Sequence, residues 1–125
     1  MVWEHFDIEK SGICKVLKKE TGEVFDCEYN RGIISTGKSR VFWGYQILIK
    51  NDQIEILGKS QGYSETYSLA LKDCNRKMEE EGFILLVAGN FDNYSESSMS
   101  GGSGYGYIEG IKEAIDIMSF YDLVA

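Results

Sequence analysis

At 125 residues, 43% apolar and 13% aromatic, the chain has globular values and is long enough to bury roughly two-thirds of its unfolded surface without a metal or disulfide. No apolar run approaches the roughly 20 residues that cross a membrane, and a net charge of −7 excludes nucleic acid as the direct ligand, since phosphate binding needs clustered Lys and Arg. The charge is one-sided. Residues 1–62 hold 9 acidic and 9 basic side chains, whereas residues 63–125 hold 11 acidic and 4 basic and so carry all of the net charge. Such a field attracts cationic partners and speeds their encounter.

A single domain over residues 1–125 is expected. The start, Met1-Val2-Trp3-Glu4-His5-Phe6-Asp7, lacks the basic and apolar segments of a secretory signal, so a cytoplasmic protein is expected. Cys14, Cys27 and Cys74 are odd in number, form no CxxC pair, and have only His5 to join them. They read as three buried thiols and no cofactor is expected, although Cys14 and Cys27 would face each other if their segments pair.

In chain order, Ile13 to Asn30 reads as a hairpin turning at Glu20-Thr21-Gly22-Glu23. Val41 to Ile49 and Ile54 to Leu57 form a second hairpin across Lys50-Asn51-Asp52-Gln53. Between Ser64 and Glu81 the period becomes helical: Tyr67, Ala70, Leu71, Cys74 and Met78 share one face, Ser64 caps the start and Gly82 the end. The continuous apolar run Phe83 to Ala88 suits a central strand covered on both faces. Residues 90–106 form a polar loop, and Tyr105 to Ile108 add a short strand. A last helix follows, with Ile108, Ile111, Ala114, Ile115 and Met118 inward and Glu109, Glu113 and Asp116 forming an exposed acidic ridge. The expected fold is α+β: a mainly antiparallel sheet built from hairpins, with two amphipathic helices packed on it.

Gly32 to Ser39 matches the phosphate-loop pattern GxxxxGK[ST] letter for letter. A working phosphate loop opens a helix, whose N-terminal amides hold the phosphates, but here Ser39 leads into the β-rich Arg40-Val41-Phe42-Trp43. A strand and turn is the better reading. With one histidine near a terminus, no catalytic triad or dyad is evident, and the chain is not expected to be an enzyme. The loop from Asp92 to Gly106 mixes Tyr, Ser, Gly and Asn as antibody recognition loops do, where Tyr supplies rigid amphipathic contact area. The partner-binding candidates are therefore Asp92, Tyr94, Glu96, Tyr105, Tyr107, Glu109, Glu113 and Asp116, the acidic groups meeting a partner's Lys and Arg and the tyrosines anchoring it.

In size, charge, α+β pattern and the Asn90 to Ile108 segment the chain resembles the small acidic immunity proteins of bacterial contact-dependent growth inhibition and related toxin systems. That resemblance implies a cytoplasmic protein that binds a cognate toxin domain, often a basic nuclease, and neutralises it by covering its active site or substrate-binding surface. It carries over no individual residue. Two other functions stay open on the residues: a small-ligand or nucleotide enzyme using Gly32–Ser39 or Gly101–Gly106, and a non-catalytic adaptor pairing through the edge of the Val41 to Leu57 hairpin.

Overall fold

The computed structural model describes residues 4–39, 41–61, 67–96, 104–110 and 113–121. Strands dominate it. They are β1 (Glu4–Lys18), β2 (Val24–Thr36), β3 (Val41–Lys50), β4 (Glu55–Gln61), β5 (Phe83–Leu85), β6 (Tyr94–Glu96), β7 (Tyr105–Ile108) and β8 (Ile115–Asp116), and α1 (Tyr67–Glu80) is the single α-helix among the described residues. The first five form a curled antiparallel sheet in the order β4-β3-β2-β1-β5, and the last three a small sheet in the order β6-β7-β8.

Both expected hairpins form, and β1 and β2 run well beyond the residues their patterns marked. Cys14 lies opposite Cys27 in the β1–β2 register, and Tyr29, Ile49 and Ile56 stand abreast across β2, β3 and β4. At the second turn Asn51 Oδ1 accepts from the backbone N–H of Gln53 and Ile54, a side-chain imitation of a turn that fixes the register. A bulge between Ile8 and Lys10 takes Glu9 out of the ladder and sets Lys10 directly opposite Arg31. Gly32 lies at this bulge. A β-carbon there would sit 2.0 Å from the Asp7 carbonyl oxygen, so this glycine of the phosphate-loop pattern serves strand packing. The pattern ends in a turn at residues 37–39 and opens no helix.

The predicted stripe of α1 is the one that is buried: Tyr67, Ala70, Leu71, Cys74 and Met78 share one core cluster with Val16, Ile47, Ile49 and Leu85. Its polar side closes the sheet edge. The Lys59 N–H donates to Asp73 at 3.1 Å, Lys77 Nζ donates to the Leu57 carbonyl at 2.5 Å, and Asp73 and Lys77 pair at 3.1 Å. Burial works against the Asp73 carboxylate, yet Arg76, the Lys59 amide and Lys77 together hold it below its ordinary range. With those two edge groups taken, strand addition at the Val41 to Leu57 hairpin loses part of its template.

Two expectations need correction. The fold is not the expected α+β sheet carrying two helices but mostly strand with a single α-helix among the described residues, because no described residue from 104 to 121 is helical. Tyr105 to Ile108 is a strand, the chain turns at Gly110, and Ile115 and Asp116 pair back onto Gly106 and Tyr105. Ile111 and Lys112 of the predicted helix, like Ser64, lie outside the described residues. An 11-residue helix is marginal alone, and its isoleucines suit a strand equally well, so tertiary pairing decides. The Phe83 to Ala88 run is also not central. β5 pairs only with β1, and beyond it the chain at 120–121 runs beside residues 86 and 87 through the Tyr121 amide and the Val87–Phe120 bridge.

The three thiols are free and each is 2% exposed or less. Burial pushes Cys14 and Cys74 up to about 12 and Cys27 up to about 11, with neighbouring Cys and Asp charges adding to the rise. Almost no thiolate exists at neutral pH. Alkylation of the native protein at pH 8 is therefore expected to run on the order of 100-fold slower than in unfolding concentrations of urea. Stopped-flow thiol titration checks this, and a fast-reacting thiol in the native protein would contradict it.

Candidate functional site

The small sheet carries most of the residues that the sequence singled out. Along β7 the side chains alternate, with Tyr105 and Tyr107 38% and 45% exposed while Gly106 and Ile108 are buried. β6 pairs with β7 through Tyr94 opposite Ile108, Ser95 opposite Tyr107 and Glu96 opposite Gly106. The Asp92 to Gly106 segment thus carries a strand towards each end, while residues 97–103, including half of the Gly101–Gly106 alternative, lie outside the described residues. The Glu109 N–H donates to the Asn93 carbonyl at 3.1 Å, extending the ladder by one bond.

A buried charge cluster pins this sheet to the large one. Arg31, 2% exposed on β2, donates from Nη1 to the Gly104 carbonyl at 2.9 Å and from Nη2 to Asp116 Oδ2 at 2.7 Å. Lys10 donates to the same carboxylate oxygen at 2.6 Å. The guanidinium also lies 5.2 Å from the centre of the Tyr67 ring and 5.6 Å from that of Tyr105, so two aromatic faces line the cation. At Gly104 a β-carbon would sit 1.5 Å from Arg31 Nη1, which explains the residue type at that position. The hydrogen bond to Asp116 raises Lys10 above its ordinary value, and burial, with the hydrogen bond to Glu9, raises Tyr67. Neither Arg31 nor Lys10 was singled out from sequence. The available signal was the alternation Cys27, Tyr29, Arg31, which puts a cation at an inward position where only a buried carboxylate answers it.

Asp116 consequently leaves the predicted ridge. It is 8% exposed and serves as the counter-ion of the cluster, whereas Glu109 and Glu113 are exposed. No helix aligns these three among the described residues, and with Asp116 buried they do not form one exposed face. It groups others instead. Asp92, Tyr107 and Glu109 line an open cleft of about 630 Å3 with Asn93, Ser95 and Ile108. Tyr94 is half-buried, its ring lying over Gly106, and Glu96 is placed by its backbone alone at the end of β6.

For chemistry, His5 sits in β1 opposite Ser35, and among the described residues no three His, Cys, Asp or Glu side chains gather as a metal group. Among the described residues no helix is long and apolar enough to cross a membrane. The chain matches no protein-family model, no curated protein and no solved structure.

Proposed function

We propose that the chain is a non-catalytic, cytoplasmic binding protein of the immunity class, which neutralises a cognate toxin, a basic nuclease domain, by covering its active site or substrate-binding surface with the small sheet. The observation that carries this is the lining of the cleft on that sheet: its charged groups, Asp92 and Glu109, are both acidic, and Tyr107 lines the same cleft as an exposed aromatic. A nuclease surface is basic because it grips phosphate. Its Lys and Arg would meet the carboxylates, and Tyr107 and Tyr105 would supply rigid contact area. Glu113 is a further exposed acid in the same half of the chain.

The test is binding to, and inhibition of, a basic nuclease domain encoded beside this gene. Asp92→Lys combined with Glu109→Lys is expected to weaken affinity about 100-fold, and Tyr107→Ala about tenfold or more. The wild-type association rate should fall with added salt, and that of the double variant much less. Wild-type affinity in the double variant, with the fold intact by circular dichroism, would overturn the assignment of this face. Asp116 is unsuitable as a charge-reversal site, because its loss acts on the fold.

A further inference from the structure

A second cleft of about 530 Å3 separates α1 from the chain leading into β6, a volume within the range of roughly 300–1,000 Å3 usual for small-molecule sites. Lys72 and Asn75 stand on its helix wall, and Asn90, Phe91, Asp92 and Tyr94 on the other. The Asn90 amide is oriented by two bonds, its Nδ2 donating to the Leu85 carbonyl at 2.8 Å and to Asn75 Oδ1 at 3.3 Å. Both hydrogens of that amide are thereby used, and one lone pair of Asn75 Oδ1 is taken. Nδ2 of Asn75 remains as a donor to a ligand and Oδ1 of Asn90 as an acceptor.

The charges follow the same division. Lys72 adds an ammonium to the helix wall and Asp92 a carboxylate to the opposite wall, and neither joins any of the ion pairs among the described residues. One wall carries the positive charge and the other the negative one. A simple anion would be repelled by Asp92, and a simple cation by Lys72. A ligand carrying both charges satisfies both walls, and the Phe91 ring, held at 4.5 Å by Tyr121, offers apolar surface beside them.

We propose that this cleft binds a small zwitterion of the free α-amino-acid class. Its carboxylate lies on Lys72 and Asn75 Nδ2, its ammonium on Asp92 and Asn90 Oδ1, and its side chain against Phe91 and Tyr94. The site shares Asp92 with the protein-binding face, and its other groups lie outside that cleft.

Isothermal titration of the full chain with the twenty L-amino acids tests it, followed by the N-acetyl and C-terminal amide derivatives of the tightest binder. Saturable binding below about 1 mM is expected, weakened at least about tenfold by blocking either end. Lys72→Met, an exposed change, should abolish the preference for a free carboxylate and keep that for a free ammonium, and Asp92→Asn should do the reverse. Absence of binding by any amino acid at 5 mM (roughly fivefold above that affinity, where a site of this kind is still well filled), or a variant that keeps the preference it should lose, overturns the proposal. Lys72 lies outside the lining of the acidic cleft, so Lys72→Met with lost amino-acid binding and retained nuclease binding separates this site from the protein interface.

Discussion

Asp116→Ala is expected to destabilise the protein by about 3–5 kcal/mol, the usual cost of removing one partner from a buried ion pair. The carboxylate accepts from Arg31 at 2.7 Å and Lys10 at 2.6 Å, and Arg31 is 2% exposed, so the deletion strands a guanidinium that water cannot reach. Its Nε already lacks a partner, and Nη2 would join it. The two cations are not equivalent. Lys10 has 41% of its side chain exposed and rehydrates on losing its partner, so Lys10→Met should cost under about 1 kcal/mol. Arg31→Met leaves Asp116 paired to Lys10 and should cost less than Asp116→Ala. Combining Arg31→Met with Asp116→Ala removes both buried charges and should recover about 2 kcal/mol relative to Asp116→Ala alone. Urea unfolding of the four proteins measures this cycle, and strict additivity would show that the cluster is not a coupled unit. Hydrogen exchange adds a local reading: in Asp116→Ala the amides of β7 and β8 should lose protection before those of β2 and β3, because the cluster is what joins the sheets.

Gly58→Ala is expected to cost about 3 kcal/mol, at the upper end of the roughly 1–3 kcal/mol usual for overpacking. Gly58 lies in β4 where α1 crosses, and a β-carbon would stand 2.3 Å from the Ala70 carbonyl oxygen and 2.3 Å from Cys74 Sγ. The first obstacle is helix backbone, so relief requires α1 to lift off the sheet. Lifting it would stretch the 3.4 Å contact of Cys74 Sγ with the Ile47 carbonyl and open the layer holding Leu71 and Met78. Adding Cys74→Ala to Gly58→Ala removes only the sulfur contact and should restore less than half of the loss. Thermal denaturation of the two variants checks this. A Gly58→Ala protein as stable as wild type would mean that α1 sits further from β4 than the structure places it.

The parts of the fold that were legible in sequence are those where one local period had a single reading. At Tyr67, Ala70, Leu71, Cys74 and Met78 the helical spacing met a polar opposite face, and all five are buried. In the two hairpins, alternation was bounded by turn residues with their own hydrogen-bond logic, such as Asn51. Where two periods fitted the same residues, local reading failed. Ile108, Ile115 and Met118 satisfy a helical stripe, yet Ile115 also pairs opposite Gly106 in a strand. The candidate site divides in the same way. Asp92, Tyr107 and Glu109 are exposed around one cleft, whereas Asp116, expected beside Glu109 and Glu113 on a helix, is buried against a cation from β2.

The sequence by itself determined the hairpins, the buried stripe of α1, the acidity of residues 63–125 and the strand reading of the phosphate-loop pattern, because each follows from interactions within a few residues. Only the tertiary structure decided that Arg31 and Asp116, 85 positions apart, form one buried pair, that β5 lies at an edge, and that Tyr105 and Gly106 pair with Asp116 and Ile115 as strands. The reason is physical: a buried charge and a short ambiguous segment gain their stability from partners distant in the chain, and no local period records who those partners are.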